Sequence, residues 1–429
     1  MTSLIACFLR FRHVRFPAVV FSALIALVIV LLIAGRATAE KHWYKGHTHA
    51  HSFWSDGDQF PEMVVDLYKS RGYDFFCLSD HNRLMRGERW RKLNKGKRPI
   101  TQTIVDACQK RFGDDWLTFR GQDDRREVRL KTYDEIRARL EEPGKFLMIQ
   151  GEEITGKCGK KQVHINAINL VDLIKPQKGR TVTETIQADL AAVRRQAEST
   201  KRTILAHVNH PNWKHYDITA HDLAEAVDAR FFEVCNNGHG INNLGDAMHP
   251  SSEQLWDIAN TVRLAKLNKP PLYGIGSDDA HRFHRKHPKL SNPGRAWIVV
   301  RAEKLEIQPI LNAMLQGDFY VSTGVVLKDL QYDPKQKTLS VRVDPKPGTQ
   351  YTIEFVGSTT DADPEGRDTS KIGRVLARHE ATEATYRLRG NELYVRAVVR
   401  SDRKLENPPS NSIDLETAWT QPVGWEIKE

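Results

Sequence analysis

The chain has 429 residues, a formal net charge of +10 and a hydrophobic fraction of 40%. These values fit two or three folded domains and exclude wholesale disorder, and no repeat period predicts a solenoid or a propeller. Histidine is unevenly distributed: 15 of the 17 lie between His42 and His287, and the last 142 residues hold only His379. This clustering predicts a histidine-rich site in the first two thirds of the chain.

Residues 1–39 have the composition of an export signal. A basic region precedes an apolar run over residues 18–34, and Ala37-Thr38-Ala39 forms a small-x-small cleavage site. We expect cleavage after Ala39 and a periplasmic or extracellular protein; the alternative is an uncleaved membrane anchor. Without this segment 60 basic and 54 acidic residues remain, a net charge of +6 carried mostly by residues 83–131. The charge therefore does not by itself indicate nucleic-acid binding.

From Glu40 to about Leu290 short apolar runs alternate with amphipathic segments, which predicts βα units and a mostly parallel sheet. Predicted strands cover 74–78, 146–150, 203–206, 231–234, 272–275 and 296–301. Predicted helices cover 62–70, 182–198, 220–229, 252–266 and 307–316, and Ser252 is the expected N-cap of the fourth. The charged residues 83–145 interrupt this rhythm and predict a helical insertion.

After Gly324 the pattern changes to short β-strands separated by proline, glycine and aspartate. This predicts an α/β domain over residues 40–324 and a small, sandwich-like all-β domain over residues 325–429. The β domain is a candidate for contact with a glycan or another protein. The sequence leaves open whether Cys108 and Cys158 form a disulfide.

Five polar clusters each follow or enter an apolar strand. They are residues 46–57, 79–82, 151–153 with His164, 207–213, and 276–281. His49 and His51 have the i, i+2 spacing that puts two side chains on one face of a strand, about 7 Å apart. Because parallel strands share one carboxyl-terminal edge, we expect the clusters to converge there as a metal site.

Three positions are ambiguous from the residues alone. His47 forms an alternative His-x-His pair with His49, Glu152 neighbours Glu153, and His207 competes with His210. A partly buried strand histidine is an ordinary structural explanation for His164.

Taken in order, the motifs HxHxxxxDG, SDHN, GxE with a later His, NHP and SDDAH resemble those of the PHP family, named for polymerase and histidinol phosphatase. The resemblance covers roughly residues 42–324. It implies a distorted (β/α)7 barrel with up to three divalent ions, and it fits an exported branch with a C-terminal β domain. The implied metal ligands are His49, His51, Asp56, His81, Glu153, His164, His210, Asp279 and His281, with His207 as the alternative to His210.

The activity that this resemblance implies is hydrolysis of a phosphomonoester or phosphodiester, in a small molecule or a polymer. Two or three Zn, Mn or Fe ions would acidify bound water into hydroxide. Expected catalytic residues are Glu153, Asp279, His239 and Asp80, and expected substrate contacts are Arg83, Arg86, Asn82 and Asn209. Alternatives are hydrolysis of a carboxylic ester, carbamate or amide, and a non-catalytic surface binding protein.

Overall fold

A mixed sheet of thirteen strands is the framework of the protein in a computed structural model that describes residues 40–428. The export segment predicted over residues 1–39 lies outside the described residues. In chain order the strands are β1 His42–His47, β2 Phe75–Leu78, β3 Trp90–Lys92, β4 Thr118–Arg120, β5 Glu127–Arg129, β6 Leu147–Cys158, β7 Lys161–Ile168, β8 Leu205–Val208, β9 Phe231–Asn236, β10 Tyr273–Ser277, β11 Trp297–Ala302, β12 Phe319–Ser322, β13 Leu327–Asp333, β14 Thr338–Val343, β15 Tyr351–Thr359, β16 Arg374–Glu380, β17 Glu383–Arg387, β18 Glu392–Lys404 and β19 Leu415–Thr420. The α-helices are α1 Pro61–Ser70, α2 Gln102–Phe112, α3 Tyr133–Leu140, α4 Val182–Thr200, α5 Ala220–Glu225, α6 Ser252–Ala265 and α7 Ile307–Leu315.

The α/β class agrees with the expectation, but the sheet is mixed rather than mostly parallel. Its order is β10-β9-β8-β7-β6-β2-β1-β11-β12-β19-β18-β15-β16. The pairs β1–β2, β2–β6, β8–β9 and β9–β10 are parallel, whereas β6–β7, β7–β8 and β1–β11 are antiparallel. The reason is local: β6 and β7 form a hairpin in which Cys158 opposes Lys161, and Gly159 supplies the positive φ of its tight turn.

One end of this sheet, the strand β10, approaches the interior strands β11 and β12. Gly276 permits the approach, because a Cβ there would lie 2.4 Å from Val321 Cγ1 and 2.9 Å from the Trp297 carbonyl oxygen. Beyond the strand ends, the His51 N–H donates to the Ala280 carbonyl at 2.9 Å. A closed seven-stranded barrel stays a prediction.

Four helices, α3 to α6, begin after a threonine or serine whose hydroxyl caps the first turn. Thr181 caps α4 by accepting a hydrogen bond from the Glu184 N–H, and the helix buries an apolar stripe that includes Val182, Ile186 and Val193. The N-cap of α6 is Ser251, which forms a capping box with Gln254. The prediction of Ser252 was wrong by one residue, because Ser252 is already helical and buried.

The insertion over residues 83–145 is only partly helical, in contrast to the prediction from its charge pattern. It contains α2, α3 and a three-stranded antiparallel sheet in the order β3-β5-β4. Buried apolar side chains of the insertion, such as Cys108, Val128 and Ile136, pack in one core cluster with Phe76 of β2.

The strands after residue 324 are numerous, as expected, and they continue the large sheet. β19 pairs with β12, so that β15, β16, β18 and β19 extend it, while β13, β14 and β17 form a separate small sheet. Apolar residues of both sheets share one cluster, and the chain from His42 onward forms one compact unit. An independent domain beginning at residue 325 stays a prediction.

Four cysteines of the described residues are free thiols, so the Cys108–Cys158 disulfide left open above is not formed. Cys108 contacts the buried Glu62, and Cys158 lies against the Arg180 carbonyl. Within residues 40–428, no helix has both the length and the apolar character needed to cross a bilayer.

Candidate metal centre

The strand ends bring the five polar clusters to one place. His49 and His51 follow β1, His81 follows β2, and Asp279 and His281 follow β10. Backbone hydrogen bonds join neighbouring clusters: the Asn82 N–H donates to the Glu153 carbonyl at 2.8 Å, and the Asn209 N–H donates to the His164 carbonyl at 3.0 Å. The side chains of these segments are therefore held against one another by the backbone itself.

Glu153 is the centre of the arrangement. Its side chain is fully buried, and five imidazoles surround its carboxylate. Its Oε1 lies 3.5 Å from His49 Nε2, 3.0 Å from His164 Nδ1 and 3.4 Å from His210 Nε2, and its Oε2 lies 3.5 Å from His51 Nε2 and 2.5 Å from His81 Nδ1. A carboxylate in this position can join several cation sites.

Two aspartates complete the cluster on the side of β10. Asp279 Oδ1 lies 3.2 Å from His49 Nε2 and 3.0 Å from His51 Nε2. Asp56 Oδ1 lies 3.0 Å from His281 Nε2 and 3.4 Å from His81 Nε2. Hard carboxylate oxygens and imidazole nitrogens are thus mixed, which suits Zn, Mn or Fe.

Four groups in this cluster have ligand atoms within 4.8 Å of one another, close enough to hold an ion each. They are His51, Asp56, His81 and His281; His49, His51 and Glu153; His49, His210 and Asp279; and His81, Glu153 and His164. Together they contain nine of the ten predicted ligands.

Orphaned atoms test whether the residues fit metal ions. Five buried side-chain atoms of the cluster have no hydrogen-bond partner: His49 Nε2, His51 Nε2, His164 Nε2, Glu153 Oε2 and Asp279 Oδ1. Buried polar atoms normally find partners. Five orphaned atoms on residues of a single cluster fit the ligands of divalent ions.

The charges in the cluster shift its pKa values strongly. Burial opposes ionisation of Glu153, yet the surrounding imidazoles hold the pKa of its carboxyl well below the usual range. Burial likewise opposes the charge of His81, but Glu153, Asp56 and Asp279 raise its pKa to about 9. Burial and the neighbouring His281 and His81 lower the pKa of His51 to about 3. The carboxylates are therefore ionised and available as ligands at neutral pH.

Glu233 is a functional candidate that the sequence reasoning missed. It is fully buried on β9, accepts the Nδ1–H of His49 at 2.7 Å, and also accepts the Ser277 hydroxyl at 2.6 Å and the His210 N–H at 2.8 Å. A carboxylate on Nδ1 fixes the tautomer and leaves Nε2 free for a metal. The available signal was an acidic residue inside the apolar run Phe231–Val234.

The ambiguous histidines separate clearly. His210 approaches Glu153, whereas His207 is in none of the four groups and lies beside Thr48 and Glu233. Burial first of all lowers the pKa of His207 to about 4. His47 packs between aromatic rings and lies 3.0 Å from Asp278. Geometry therefore favours His210, and the pair His49/His51, as ligands.

Glu152 points away from this cluster, as expected from the preference for Glu153. Its Oε1 accepts the Ile174 N–H at 2.7 Å, and burial raises the pKa of its carboxyl to about 8.

Asp80, predicted as catalytic, is turned away from the cluster. Its carboxylate accepts hydrogen bonds from the backbone N–H groups of Ser52 and Ser55, at 2.8 and 2.9 Å, and from the Ser52 hydroxyl at 2.7 Å. These bonds hold the loop that leads to Asp56. We therefore assign Asp80 a positioning role.

Asn82 and Asn209 also position neighbours rather than line the cavity. Asn82 exchanges hydrogen bonds with the backbone of Thr155, and its φ of 48° is left-handed. Asn209 donates to Glu153 Oε1 at 2.9 Å and to Asn166. Both side chains thus have partners in the protein, and their predicted substrate contacts stay predictions.

A cavity of about 470 Å³ opens above the cluster. Arg83 and Arg86 do not line it: Arg83 is exposed, and Arg86 donates to Gln150 Oε1 at 2.9 Å. The anion clamp that the sequence suggested at Arg83 and Arg86 stays a prediction, and neither residue lines this cavity. The basic side chains that do line the cavity are Arg98, Lys214, Arg282 and Lys289.

His239 lines the same cavity, in agreement with its expected position. Burial, then Lys214, Lys289 and Arg295, lower its pKa. These cations disfavour a positive charge on the His239 imidazole, and its expected catalytic role stays a prediction.

Comparisons with known proteins give a consistent but distant set. No protein-family model matches the chain, and no curated protein matches it. A two-domain protein from Bacteroides vulgatus, described as containing a predicted PHP-like metal-dependent phosphoesterase, has a TM-score of 0.40 and 16% identity over 89% of this chain and 96% of its own.

Two further solved structures are similar over shorter spans. A protein from Bifidobacterium adolescentis, whose description proposes a metal-dependent phosphoesterase, has a TM-score of 0.27 and 13% identity over 55% of this chain and 87% of its own. An amidohydrolase from Chromobacterium violaceum, with bound sulfate and no metal, has a TM-score of 0.29 and 12% identity over 64% and 96%. These scores do not define a shared fold, so a functional assignment has to rest on the geometry of the site.

Proposed function

We propose that the protein is a metal-dependent phosphoesterase of the PHP type. The observation that carries this proposal is Glu153, whose buried carboxylate has five imidazoles within 3.5 Å, two of which, His49 and His51, direct orphaned Nε2 atoms at it. When bound, the divalent ions would supply Lewis-acid stabilisation of phosphoryl oxygens and lower the pKa of water.

The protein's own residues have separable tasks in this proposal. The nine clustered side chains would hold two or three ions, and Glu233 fixes the tautomer of His49 with a proton on Nδ1 and aims its Nε2 at the cluster. Asn209 fixes the rotamer of Glu153 through its 2.9 Å hydrogen bond. The basic residues around the cavity attract an anionic substrate, which favours a phosphoester over a neutral amide or ester.

Export is a separate proposal. It rests on the composition of residues 1–39, with a basic region, an apolar run and Ala37-Thr38-Ala39.

The proposed activity is tested on the full-length chain by measuring metal per chain and turnover of p-nitrophenyl phosphate, bis-p-nitrophenyl phosphate and p-nitrophenyl acetate. We expect at least two ions and turnover of a phosphate substrate, both reduced in Asp279→Asn and retained in the exposed control Asp106→Asn. Acetate turnover alone indicates the carboxylic-ester alternative. Full metal content without turnover on a broad panel indicates the binding-protein alternative.

A further inference from the structure

The cavity mouth carries positive charge that its carboxylates do not neutralise. Arg98 is 3.0 Å from Asp56 Oδ2, and Arg282 is 3.6 Å from Asp58 Oδ2. Lys214 and Lys289 line the same cavity, and neither has a carboxylate oxygen within ion-pair distance among residues 40–428. Among the described residues of the cavity wall, these two ammonium groups are therefore the lysine cations that no carboxylate neutralises.

Lys214 is fixed by its backbone at the cavity wall. Its φ of 42° is in the left-handed region, and its N–H donates to the Gly240 carbonyl at 2.9 Å. Its Nζ lies 4.6 Å from the centroid of the Trp213 ring, another residue of the cavity wall. A strained non-glycine backbone that the surrounding structure maintains is a feature found often at ligand sites.

Lys289 lies on a turn that is anchored from beneath. The turn is closed by the Leu290 N–H, which donates to the His287 carbonyl at 3.0 Å. The buried Arg295 donates to both carbonyls of this turn, at 2.6 Å to Leu290 and 3.1 Å to His287. The position of Lys289 is thus determined by a guanidinium group in the protein interior.

His239 shows that the two turns face a common space. Its N–H donates to the Ser291 hydroxyl at 2.8 Å, two residues after Lys289, and both lysines contribute to its lowered pKa. The two lysines are therefore neighbours of one imidazole at the mouth of the cavity.

We propose that Lys214 and Lys289 form an anion subsite, and that the substrate is a small molecule with a second anionic group beside the phosphoester. This inference rests on the proposed function and names its substrate class. Lysine supplies a compact charge with three donors, which suits a carboxylate or a phosphate. A cavity of about 470 Å³ accommodates a small molecule of that kind.

The test compares two inhibitors that differ in one group. The full-length chain is loaded with Zn²⁺, and calorimetry measures the Kd of 3-phosphonopropionate and of propylphosphonate, which lacks the carboxylate. We expect 3-phosphonopropionate to bind about two- to fivefold more tightly, as one exposed ion pair allows. In 1,2-ethylenediphosphonate a second phosphonate replaces the carboxylate. Whichever of this compound and 3-phosphonopropionate has the lower Kd identifies the preferred second anion.

The preference, measured as the ratio of the two Kd values, is expected to disappear in the double variant Lys214→Gln/Lys289→Gln. Lys286→Gln is the matched control, because Lys286 is on the same loop but pairs with Glu406 at 2.6 Å and does not line the cavity. If propylphosphonate binds and the second anion adds nothing, the subsite is overturned and the phosphoesterase proposal survives. If neither phosphonate binds the zinc-loaded chain, both proposals fail.

Discussion

The Nδ1–H of His49 donates to Glu233 Oε1 across 2.7 Å, and both side chains are completely buried. The other ring nitrogen of His49, Nε2, lies 3.5 Å from Glu153 Oε1. One imidazole thus contacts a carboxylate on each side. The strand β9, which offers no ligand of its own to the four groups, thus controls the orientation of a ligand on another strand.

Replacing Glu233 by glutamine is expected to weaken metal binding about 10- to 100-fold, because the tautomer of His49 is no longer fixed by a charged acceptor. Competition with a chelator, followed by metal analysis, measures the change. Glu62→Gln is the control, since Glu62 is equally buried but contacts Trp116 and Cys108. Equal losses in both variants would indicate a general effect on folding.

His210→Ala is expected to remove at least one ion per chain, whereas His207→Ala leaves the metal stoichiometry unchanged. The reason is that His210 Nε2 lies 3.4 Å from Glu153 Oε1, while His207 is outside all four ligand groups. Metal analysis after gel filtration checks the numbers, with circular dichroism as a control for folding. The opposite pattern would restore His207 as the ligand.

Arg98→Ala is expected to raise the KM for a phosphoester about tenfold, a typical effect of losing one charge-assisted hydrogen bond. Arg98 lines the cavity and lies 3.0 Å from Asp56. Arg86→Ala, in the same insertion but outside the cavity wall, is the matched variant and should leave KM unchanged. Steady-state kinetics on both variants decides whether Arg86, as the sequence suggested, or Arg98, as the cavity lining suggests, contacts the substrate.

Ser412→Ala is expected to lower the free energy of unfolding by about 1 kcal/mol. The buried Ser412 hydroxyl donates to Asn237 Oδ1 at 2.7 Å and accepts the Asn243 side-chain N–H at 2.8 Å, joining the β18–β19 loop to the segment after β9. Urea unfolding measures the loss, and the exposed Ser410→Ala two residues away serves as control. Identical unfolding curves would show that this link contributes nothing.

Asp189→Asn is expected to gain stability relative to the parent chain as the pH rises from about 4 to about 7. Burial raises the pKa of Asp189 to about 7, so the folded chain retains a proton that the unfolded chain has already lost. The free energy of unfolding of the parent therefore falls across this range. Asparagine removes that dependence and still accepts the Gln177 N–H, which donates to Oδ1 at 2.7 Å.

The difference between the two chains should grow by at least about 1 kcal/mol between pH 4 and pH 8. Urea unfolding in the presence of a chelator measures it without a contribution from metal release. The exposed Asp106→Asn is the control, and a difference that is constant with pH would contradict the assignment.

The apolar runs predicted most of the elements, because a buried strand needs a continuous stretch of apolar residues. The strand predicted over 146–150 nevertheless runs on to Cys158 in β6. Its second half is too polar to be recognised, since Glu153 on this half faces the metal cluster instead of an apolar core. A site-bearing strand thus loses the pattern by which strands are found.

The order of the motifs was enough to predict a ligand set, but it did not predict the residues that surround it. Sequence proximity suggested that Arg83 would contact the substrate because it follows His81, whereas Arg98 reaches the cavity through an insertion that folds back. Glu233 was overlooked for a related reason: its role depends on His49, 184 residues away in the chain. Motifs report residues next to a strand end, and three-dimensional neighbours of this kind leave no local pattern.

The pairing of β1 with β11 has a consequence for biosynthesis. His42 pairs with Ala302, 260 residues further along the chain. At about 5–20 residues per second, the ribosome needs roughly 13–50 s to deliver that partner after His42 is made. Throughout this interval the strand that leads to His49 and His51 has an unpaired edge, so the nascent chain carries its metal-binding histidines before the scaffold that aims them exists.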